Sequence, residues 1–176
     1  MGRQVALLRG INVGRAKRIA MADLRALVES LGYGDVRTLL NSGNVIFDSK
    51  DPPARAASRI EAGVRDRLGI TSRVIVLTAD DIATIAGENT LAGRAADPTR
   101  VLVAVVGDPS HLSRLQPLAR QEFGSDALVV GSRAAYISCP DGILTSKLLE
   151  AVGRALGDGV TTRNWATFTK IRALVG

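Results

Sequence analysis

The segment VALLRGINVGRAKRIAMADLRALVESLGYGDVRTLLNSGNVIF, residues 5–47, decides the fold of the chain. It begins with the apolar run Val5 to Leu8, which has the length of a short strand and is ended by Gly10. Apolar residues then recur every three or four positions from Met21 to Leu31, a spacing typical of one buried face of a helix. The first part of the segment therefore predicts a strand, a glycine-bracketed loop and an amphipathic helix.

A β-hairpin and a second helix are predicted next. The apolar runs at 36–40 and 45–47 flank the turn NSGN at 41–44, whose residue types favour a tight connection between antiparallel strands. Residues 51–68 open with DPP and carry apolar residues at helical spacing, and 73–77 form another apolar strand. The predicted order is β-α-β-β-α-β, which is the order of a ferredoxin-like unit.

The second half of the chain is similar to the first in the order of its predicted elements. It contains an apolar strand at 101–106, a helix at 109–120, hairpin strands at 127–130 and 135–138, and a helix that Thr145 caps. The likeness is one of element order and not of residues. The second half therefore predicts a related α+β unit.

The end of the chain and its middle complete the predicted organisation. Thr161 and Thr162 are interpreted as the cap of a last helix, which takes the place of a fourth strand in the second half. Residues 87–100 contain two glycines and a proline and are predicted to link the halves. We predict an α+β chain with a ferredoxin-like β-α-β-β-α-β unit at 1–79. A second, related α+β unit with a C-terminal helix follows at 80–176.

The composition is that of a soluble globular protein. Hydrophobic residues make up 46% of the chain and charged residues 23%, and no apolar run approaches the about 20 residues of a membrane span. The chain enters a strand almost at its first residue, without a charged and apolar leader. Cys139 is the one cysteine, so no intramolecular disulfide is possible. We expect a cytoplasmic protein with no membrane partner, and an inert thiol at Cys139.

The net charge of +6 is concentrated at the two ends of the sequence. Residues 1–50 contain eight Lys or Arg and four Asp or Glu, and residues 145–176 contain five and two. Residues 51–144 contain ten basic and eleven acidic side chains. If the two ends meet in space, they form one basic surface that attracts phosphates or other anions. The alternative is that these charges serve solubility.

Three polar clusters lie where predicted elements end, and side chains and free backbone groups are available there. The candidate ligand-binding residues are Arg9, Asn12, Asn44, Lys147, Arg163 and Asn164. Several residues of these clusters have a structural alternative. Arg9 could pair with Asp23 or Asp35, and the asparagines could serve tight turns. Thr162 could simply cap a helix and leave the N–H groups of residues 163–165 facing solvent, where they favour an anion.

Several chemistries find little support in the sequence. One histidine, His111, and one cysteine, Cys139, cannot form a zinc site alone, and we expect no metal and no cofactor. Gly10 and Gly14 do not have the spacing of a dinucleotide-binding loop, and the chain has no phosphate-binding loop with a Walker lysine. No serine lies in a nucleophile elbow, so the catalytic residues, if any, are unknown.

Four blocks of the sequence resemble the bacterial family known as domain of unknown function 1697. They are LLRGINVG at 7–14, MADLRALVESLGY at 21–33, VRTLLNSGNVIF at 36–47 and TTRNWAT at 161–167. The chain departs from the family pattern at Arg15, where a second glycine is usual, and at Leu39, where an aromatic residue is frequent. The resemblance implies a soluble α+β protein with a ferredoxin-like first half, and it implies no activity.

The leading functional hypothesis is an anion-binding module for nucleic acid or a phosphorylated small molecule. One alternative is a small enzyme that acts on an anionic metabolite, although the sequence offers no clear general base. Another is an interaction module that pairs through a sheet edge. Whether the chain is an enzyme and what its oligomeric state is both stay open. We expect Arg9 and Arg163 to converge on one face and to form a joint site.

Overall fold

The computed structural model describes residues 1–94 and 96–176. The first half has the predicted order of elements. They are β1 (Gly2–Leu8), α1 (Met21–Ser30), β2 (Gly34–Leu39), β3 (Asn44–Ser49), α2 (Pro53–Leu68), β4 (Val74–Thr78) and α3 (Ala79–Glu88). The α+β prediction is confirmed, because local apolar periodicity was enough to separate helices from strands.

Strands β1 to β4 form one antiparallel sheet in the order β2-β3-β1-β4. The predicted hairpin is confirmed: Thr38 pairs with Val45 and Leu39 with Asn44, on either side of the turn at 40–43. Helices α1 and α2 cover one face of this sheet, where their leucines, isoleucine and valines pack with Phe47. Burial of these aliphatic side chains supplies the main stabilisation of the first half.

The second half contains one more strand than the sequence predicted. Its elements are β5 (Val101–Val106), a 3₁₀ segment (Pro109–Leu115), α4 (Gln116–Ala119), β6 (Ala127–Val130), β7 (Ala134–Ser138), α5 (Lys147–Leu156), β8 (Val160–Asn164) and α6 (Trp165–Val175). The sheet order is β6-β7-β5-β8, which repeats the order of the first sheet element for element. The described residues thus form two sheets of the same topology.

The interpretation of Thr161 and Thr162 as a helix cap is wrong. Both lie within β8, where Thr161 pairs with Val105 and Thr162 with Ala104 of β5. Asn164 is the residue that caps α6, because its Oδ1 accepts from the N–H of Thr167 at 2.8 Å. Threonine favours both helix caps and strands, and the pairing with β5 decided between them.

Two smaller corrections concern helices of the second half. The predicted helix at 109–120 is a 3₁₀ segment that passes into the single turn α4. The cap of α5 is Ser146 and not Thr145, since the Ser146 Oγ accepts from the N–H of Leu149 at 3.0 Å. Adjacent hydroxyl residues offer equivalent caps in sequence, and the position of the first helical turn selects one of them.

The chain divides into two compact units. Unit 1 comprises Met1–Ile82 and Ile171–Gly176, and unit 2 comprises Ala83–Lys170. The bounds 1–79 and 80–176 stay a prediction, and the predicted linker at 87–100 includes Ala95, which lies outside the described residues. No described helix combines the length and the apolar character that a membrane crossing requires.

Candidate functional site

The connection between the first strand and the first helix distinguishes unit 1 from unit 2. In unit 1 the connection covers the twelve residues 9–20, between β1 and α1. At the equivalent place in unit 2, only Gly107 and Asp108 separate β5 from the 3₁₀ segment. Two residues are therefore sufficient to close this topology. Long connections in compact units are frequently functional, so residues 9–20 are a candidate binding element.

Residues 9–20, which we call the cationic loop, contain four basic side chains and no acidic one. Arg15, Lys17 and Arg18 are exposed, whereas Arg9 is half-buried at the base of the loop. No ion pair joins any of these three exposed side chains to a carboxylate within residues 1–94 and 96–176. Their charge therefore faces solvent and remains available to an external anion.

The side chain of Asn12 holds the cationic loop in one conformation. Its Oδ1 accepts from the N–H of Ile19 at 2.9 Å, and its Nδ2 donates to the carbonyl of the same residue at 2.9 Å. The N–H of Asn12 also donates to the carbonyl of Lys17 at 3.0 Å. Asn12 adopts a left-handed conformation with φ of 54°, which asparagine tolerates better than most residues. The loop is thus ordered before any ligand binds.

The β2–β3 turn, residues 40–43, lies against the cationic loop. The Nδ2 of Asn12 donates to the carbonyl of Asn41 at 2.7 Å, and the N–H of Leu8 donates to the carbonyl of Gly43 at 2.9 Å. A Cβ at Gly43 would lie 2.7 Å from the Cδ1 of Ile11, so the turn and the loop are in close contact. The two segments form one continuous surface at this end of the sheet.

Asn44 is completely buried and supports the same turn from inside. Its Nδ2 donates to the carbonyl of Leu39 at 2.8 Å and to the Oγ of Ser42 at 2.9 Å. Asn12 and Asn44 were predicted as ligand-binding residues, and the structure gives each a role in shaping the loop or the turn. Their role toward a ligand stays a prediction.

Arg9 begins the cationic loop beside the start of β4. Its N–H donates to the carbonyl of Arg73 at 2.9 Å, and its carbonyl accepts from the Oγ of Ser72 at 2.8 Å. The predicted alternative of an Arg9–Asp35 pair is not found, because Asp35 pairs with Arg3 at 2.8 Å and with Arg37 at 3.2 Å. Hydrogen bonds from Arg37, and then from Arg3, hold the pKa of Asp35 below its usual value. The backbone pairing brings Arg73, which is exposed, to the same end of the unit.

Arg163 occupies a buried position in β8 of unit 2. It pairs in register with Val103, and its NH1 donates to the Oγ1 of Thr161 at 2.8 Å and to the carbonyl of Thr162 at 2.9 Å. Burial lowers the pKa of this guanidinium to about 10. The prediction that the N–H groups of residues 163–165 begin a helix is wrong, since α6 begins at Trp165. The convergence of Arg9 with Arg163 stays a prediction.

Lys147 lies in acidic surroundings. It is the first residue of α5 and lines a pocket of about 400 Å³ together with Glu122, Asp126 and Asp141. The carboxylate of Asp126 accepts from the Oγ of Ser146 at 2.7 Å. Because its lining contains three carboxylates and one ammonium group, this pocket is a poor place for an anion. Lys147 as a ligand-binding residue stays a prediction, and it lies in unit 2.

The thiol of Cys139 is buried between β7 and α5. Its side chain is completely inaccessible, and burial is the main cause that raises its pKa above the usual value. A thiol that is both inaccessible and protonated is a poor nucleophile, which is in keeping with the predicted inertness. Within the described residues, no group of three His, Cys, Asp or Glu side chains is placed to hold a metal ion.

Arg15, Lys17 and Arg18 are not among the predicted ligand-binding residues, although Lys17 belongs to the polar cluster around the Gly10–Gly14 turn. Their basic character was visible in the sequence, but the feature that indicates a binding role is the length of the loop that carries them. The loop stands out only when its length is compared with the two-residue connection at the equivalent place in unit 2, Gly107 and Asp108. Leu40 was also missed; it begins the β2–β3 turn with a left-handed φ of 57° and an exposed aliphatic side chain.

Comparisons with known proteins support the family and the fold but name no activity. The model of the family described as "Protein of unknown function (DUF1697)" matches residues 1–136, so the block at 161–167 lies beyond the match. The chain is similar to the solved structure of the conserved bacterial protein SP0830 from Streptococcus pneumoniae. The identity is 23%, the coverage is 99% of each chain and the TM-score is 0.76, which supports the fold alone. The comparison with curated proteins gives no match.

Proposed function

The chain belongs to the DUF1697 family, whose description assigns no activity, and we propose from the site itself that unit 1 binds phosphate-bearing ligands through the cationic loop. Among these ligands, nucleic acid is the leading candidate. The observation that carries this proposal is the twelve-residue loop 9–20, which has four cations and no acid and is held in one conformation by Asn12.

The chemistry of the loop suits phosphate. Arginine offers a planar fork of donors that matches two phosphate oxygens, and lysine adds a compact point charge. Arg15, Lys17 and Arg18 lie within four consecutive residues, so successive phosphates of one strand are within reach of neighbouring side chains. Because these side chains are exposed, their attraction is screened by salt, and binding should weaken as ionic strength rises.

Order in the free loop favours binding. The hydrogen bonds of Asn12 with Ile19 and Asn41 fix the backbone that carries the cations. A loop that is already ordered loses less conformational entropy when a ligand binds. The proposed division of roles is that the basic residues contact phosphate, and that Asn12 and Asn44 hold the surface in shape.

Arg163 and Asn164 extend the proposal. If unit 2 contributes to the same site, Arg163 would supply a further guanidinium, and Asn164 would orient the start of α6 as its cap. Such a joint site would also include Arg9. This part of the proposal depends on the predicted convergence of Arg9 with Arg163.

The test is a binding measurement with a matched charge control. Fluorescence anisotropy of a labelled 20-base-pair duplex reports its affinity for the parent chain and for the variant Arg15→Ala/Lys17→Ala/Arg18→Ala. The control is Lys50→Ala/Arg114→Ala/Arg120→Ala, which removes the same charge from exposed positions outside the loop. We expect the loop variant to bind roughly tenfold or more weakly at 100 mM salt and the control to bind nearly as the parent does. Equal losses in both variants would contradict the proposal.

A further inference from the structure

We infer that the ligand is a nucleic acid duplex, recognised through its phosphate backbone and not through the bases of a single strand. This inference rests on the proposed function and adds the class of nucleic acid. It rests on three features of the surface that the cationic loop and the β2–β3 turn form. The surface has no aromatic side chain, the amides of Asn12 and Asn44 are engaged within the chain, and the cations are close together in sequence.

The surface has no aromatic platform. Proteins that bind single strands typically stack bases on aromatic side chains, at about 1–3 kcal/mol for each base. Tyr33 and Phe47 are the aromatic residues of unit 1, and both are buried in its core under α1 and α2. The large exposed apolar side chains of the loop and the turn are Val13 and Leu40, which offer no π face. The surface therefore lacks the group that would hold an unpaired base.

The amides that could read base edges are engaged within the chain. Asn12 uses both side-chain atoms on Ile19 and on the carbonyl of Asn41. Asn44 is fully buried and donates to Leu39 and Ser42. Asparagine recognises adenine through its free amide, so neither residue is available for that contact. Asn41 keeps an exposed side chain at the turn and serves as the test of this argument.

The spacing of the cations favours the ligand with the higher charge density. A DNA duplex carries one phosphate for about 1.7 Å of its axis, counting both strands, against about 3.4 Å for one strand. Arg15, Lys17 and Arg18 are close in sequence and share one loop, so they sample a small area of the ligand. A duplex presents more phosphates within that area. Duplex binding should therefore be tighter and should depend more steeply on salt.

The test compares a labelled 20-base-pair duplex with its isolated strand over 50–200 mM potassium chloride. For three phosphate contacts, the slope of log K against log salt should be about −3 with the duplex. Each single replacement, Arg15→Ala, Lys17→Ala or Arg18→Ala, should reduce this slope by about 1. We expect the duplex to bind several-fold more tightly than the single strand at 50 mM salt. Duplexes of only A·T or only G·C pairs, and the variant Asn41→Ala, should give affinities within about threefold of one another.

The outcomes separate the two proposals. Tighter binding of the single strand would overturn duplex recognition while leaving the proposed function intact. A strong loss of affinity in Asn41→Ala with one duplex sequence would overturn recognition through the backbone, because it would show that a base edge is read. If neither the duplex nor the single strand binds the parent chain more tightly than it binds the triple loop variant, both proposals are overturned. A duplex preference that is equal in the loop variant would show that another surface binds the duplex, and would also overturn the inference.

Discussion

The side-chain amide of Asn12 donates to the main-chain carbonyl of Asn41 at 2.7 Å and so joins the cationic loop to the β2–β3 turn. The acceptor is a backbone atom, so the contact is insensitive to the side chain at position 41 but requires the amide at position 12. This asymmetry allows the structural role of the contact to be separated from any contact with a ligand.

Replacement of Asn12 by glycine should destabilise unit 1. Glycine tolerates the left-handed backbone, so the variant removes only the hydrogen bonds with Ile19 and Asn41. We expect the free energy of unfolding to fall by about 1–3 kcal/mol, as measured by urea denaturation. Asn41→Ala is the control, and it should change the free energy by less than about 0.5 kcal/mol, because the accepting carbonyl remains. A larger loss in Asn41→Ala than in Asn12→Gly would contradict the assignment.

Replacement of Gly43 by alanine should also be destabilising. Gly43 has φ of 86°, and a Cβ there would lie 2.7 Å from Ile11 and 3.0 Å from Leu8. Strain and overlap together should lower the free energy of unfolding by about 1–3 kcal/mol in chemical denaturation. The matched control is Gly153→Ala, inside α5, where a Cβ meets nothing within 4 Å. That change should stabilise the protein by about 0.5–1 kcal/mol, and a similar gain at Gly43 would show that the turn is not closely packed.

The role of Arg163 is tested by replacement with leucine. Leu77 occupies the same place in β4 that Arg163 occupies in β8, opposite Val5 and Val103 respectively, so leucine suits this strand position. If Arg163 belongs to the anion site, Arg163→Leu should weaken duplex binding by about 1.5–3 kcal/mol while the far-ultraviolet circular dichroism is retained.

A double-mutant cycle with Arg9→Ala then tests the joint site. Non-additive losses of affinity are expected if the two guanidinium groups act on one ligand. Additive losses, or none from Arg163→Leu, would restrict the site to unit 1.

Acid should destabilise unit 1 through Asp51. Its carboxylate accepts from the NH1 of Arg59 at 2.8 Å and from the hydroxyl of Tyr33 at 2.9 Å, and these bonds lower the pKa of Asp51 in the folded state. A carboxylate whose pKa is lower in the folded state than in the unfolded state stabilises the fold at neutral pH. This stabilisation is lost as the pH falls from the unfolded-state pKa through the folded-state pKa. The urea midpoint of the parent should therefore fall more between pH 6 and pH 3 than that of Asp51→Asn. Parallel pH profiles would contradict this contribution.

Cys139 should report global unfolding. Its thiol is inaccessible and its pKa is raised by burial, so an aromatic disulfide reagent at pH 8 should react slowly with the folded chain. We expect the rate to rise with urea in parallel with the loss of secondary structure. Rapid modification without denaturant would show that the region around β7 and α5 opens locally.

The order of helices and strands in unit 1 was readable from the sequence because its signals are local. The periodicity of Met21 to Leu31 and the turn residues around Gly43 act over a few positions, and neither depends on a distant partner. The candidate site was only half readable. The basic residues Arg15, Lys17 and Arg18 were visible, but Asn12 and Asn44 each had two possible roles, in a turn and in a ligand contact.

The sequence by itself determined two α+β halves and a basic first loop, because composition and periodicity are properties of neighbouring residues. Tertiary structure decided that Thr161 and Thr162 form a strand, since β8 takes its hydrogen bonds from β5, which lies far away in the chain. It also decided that Asn12 serves the loop, because the accepting carbonyl of Asn41 is 29 residues distant. Where a residue has two local preferences of similar strength, the partner that folding brings to it decides its role.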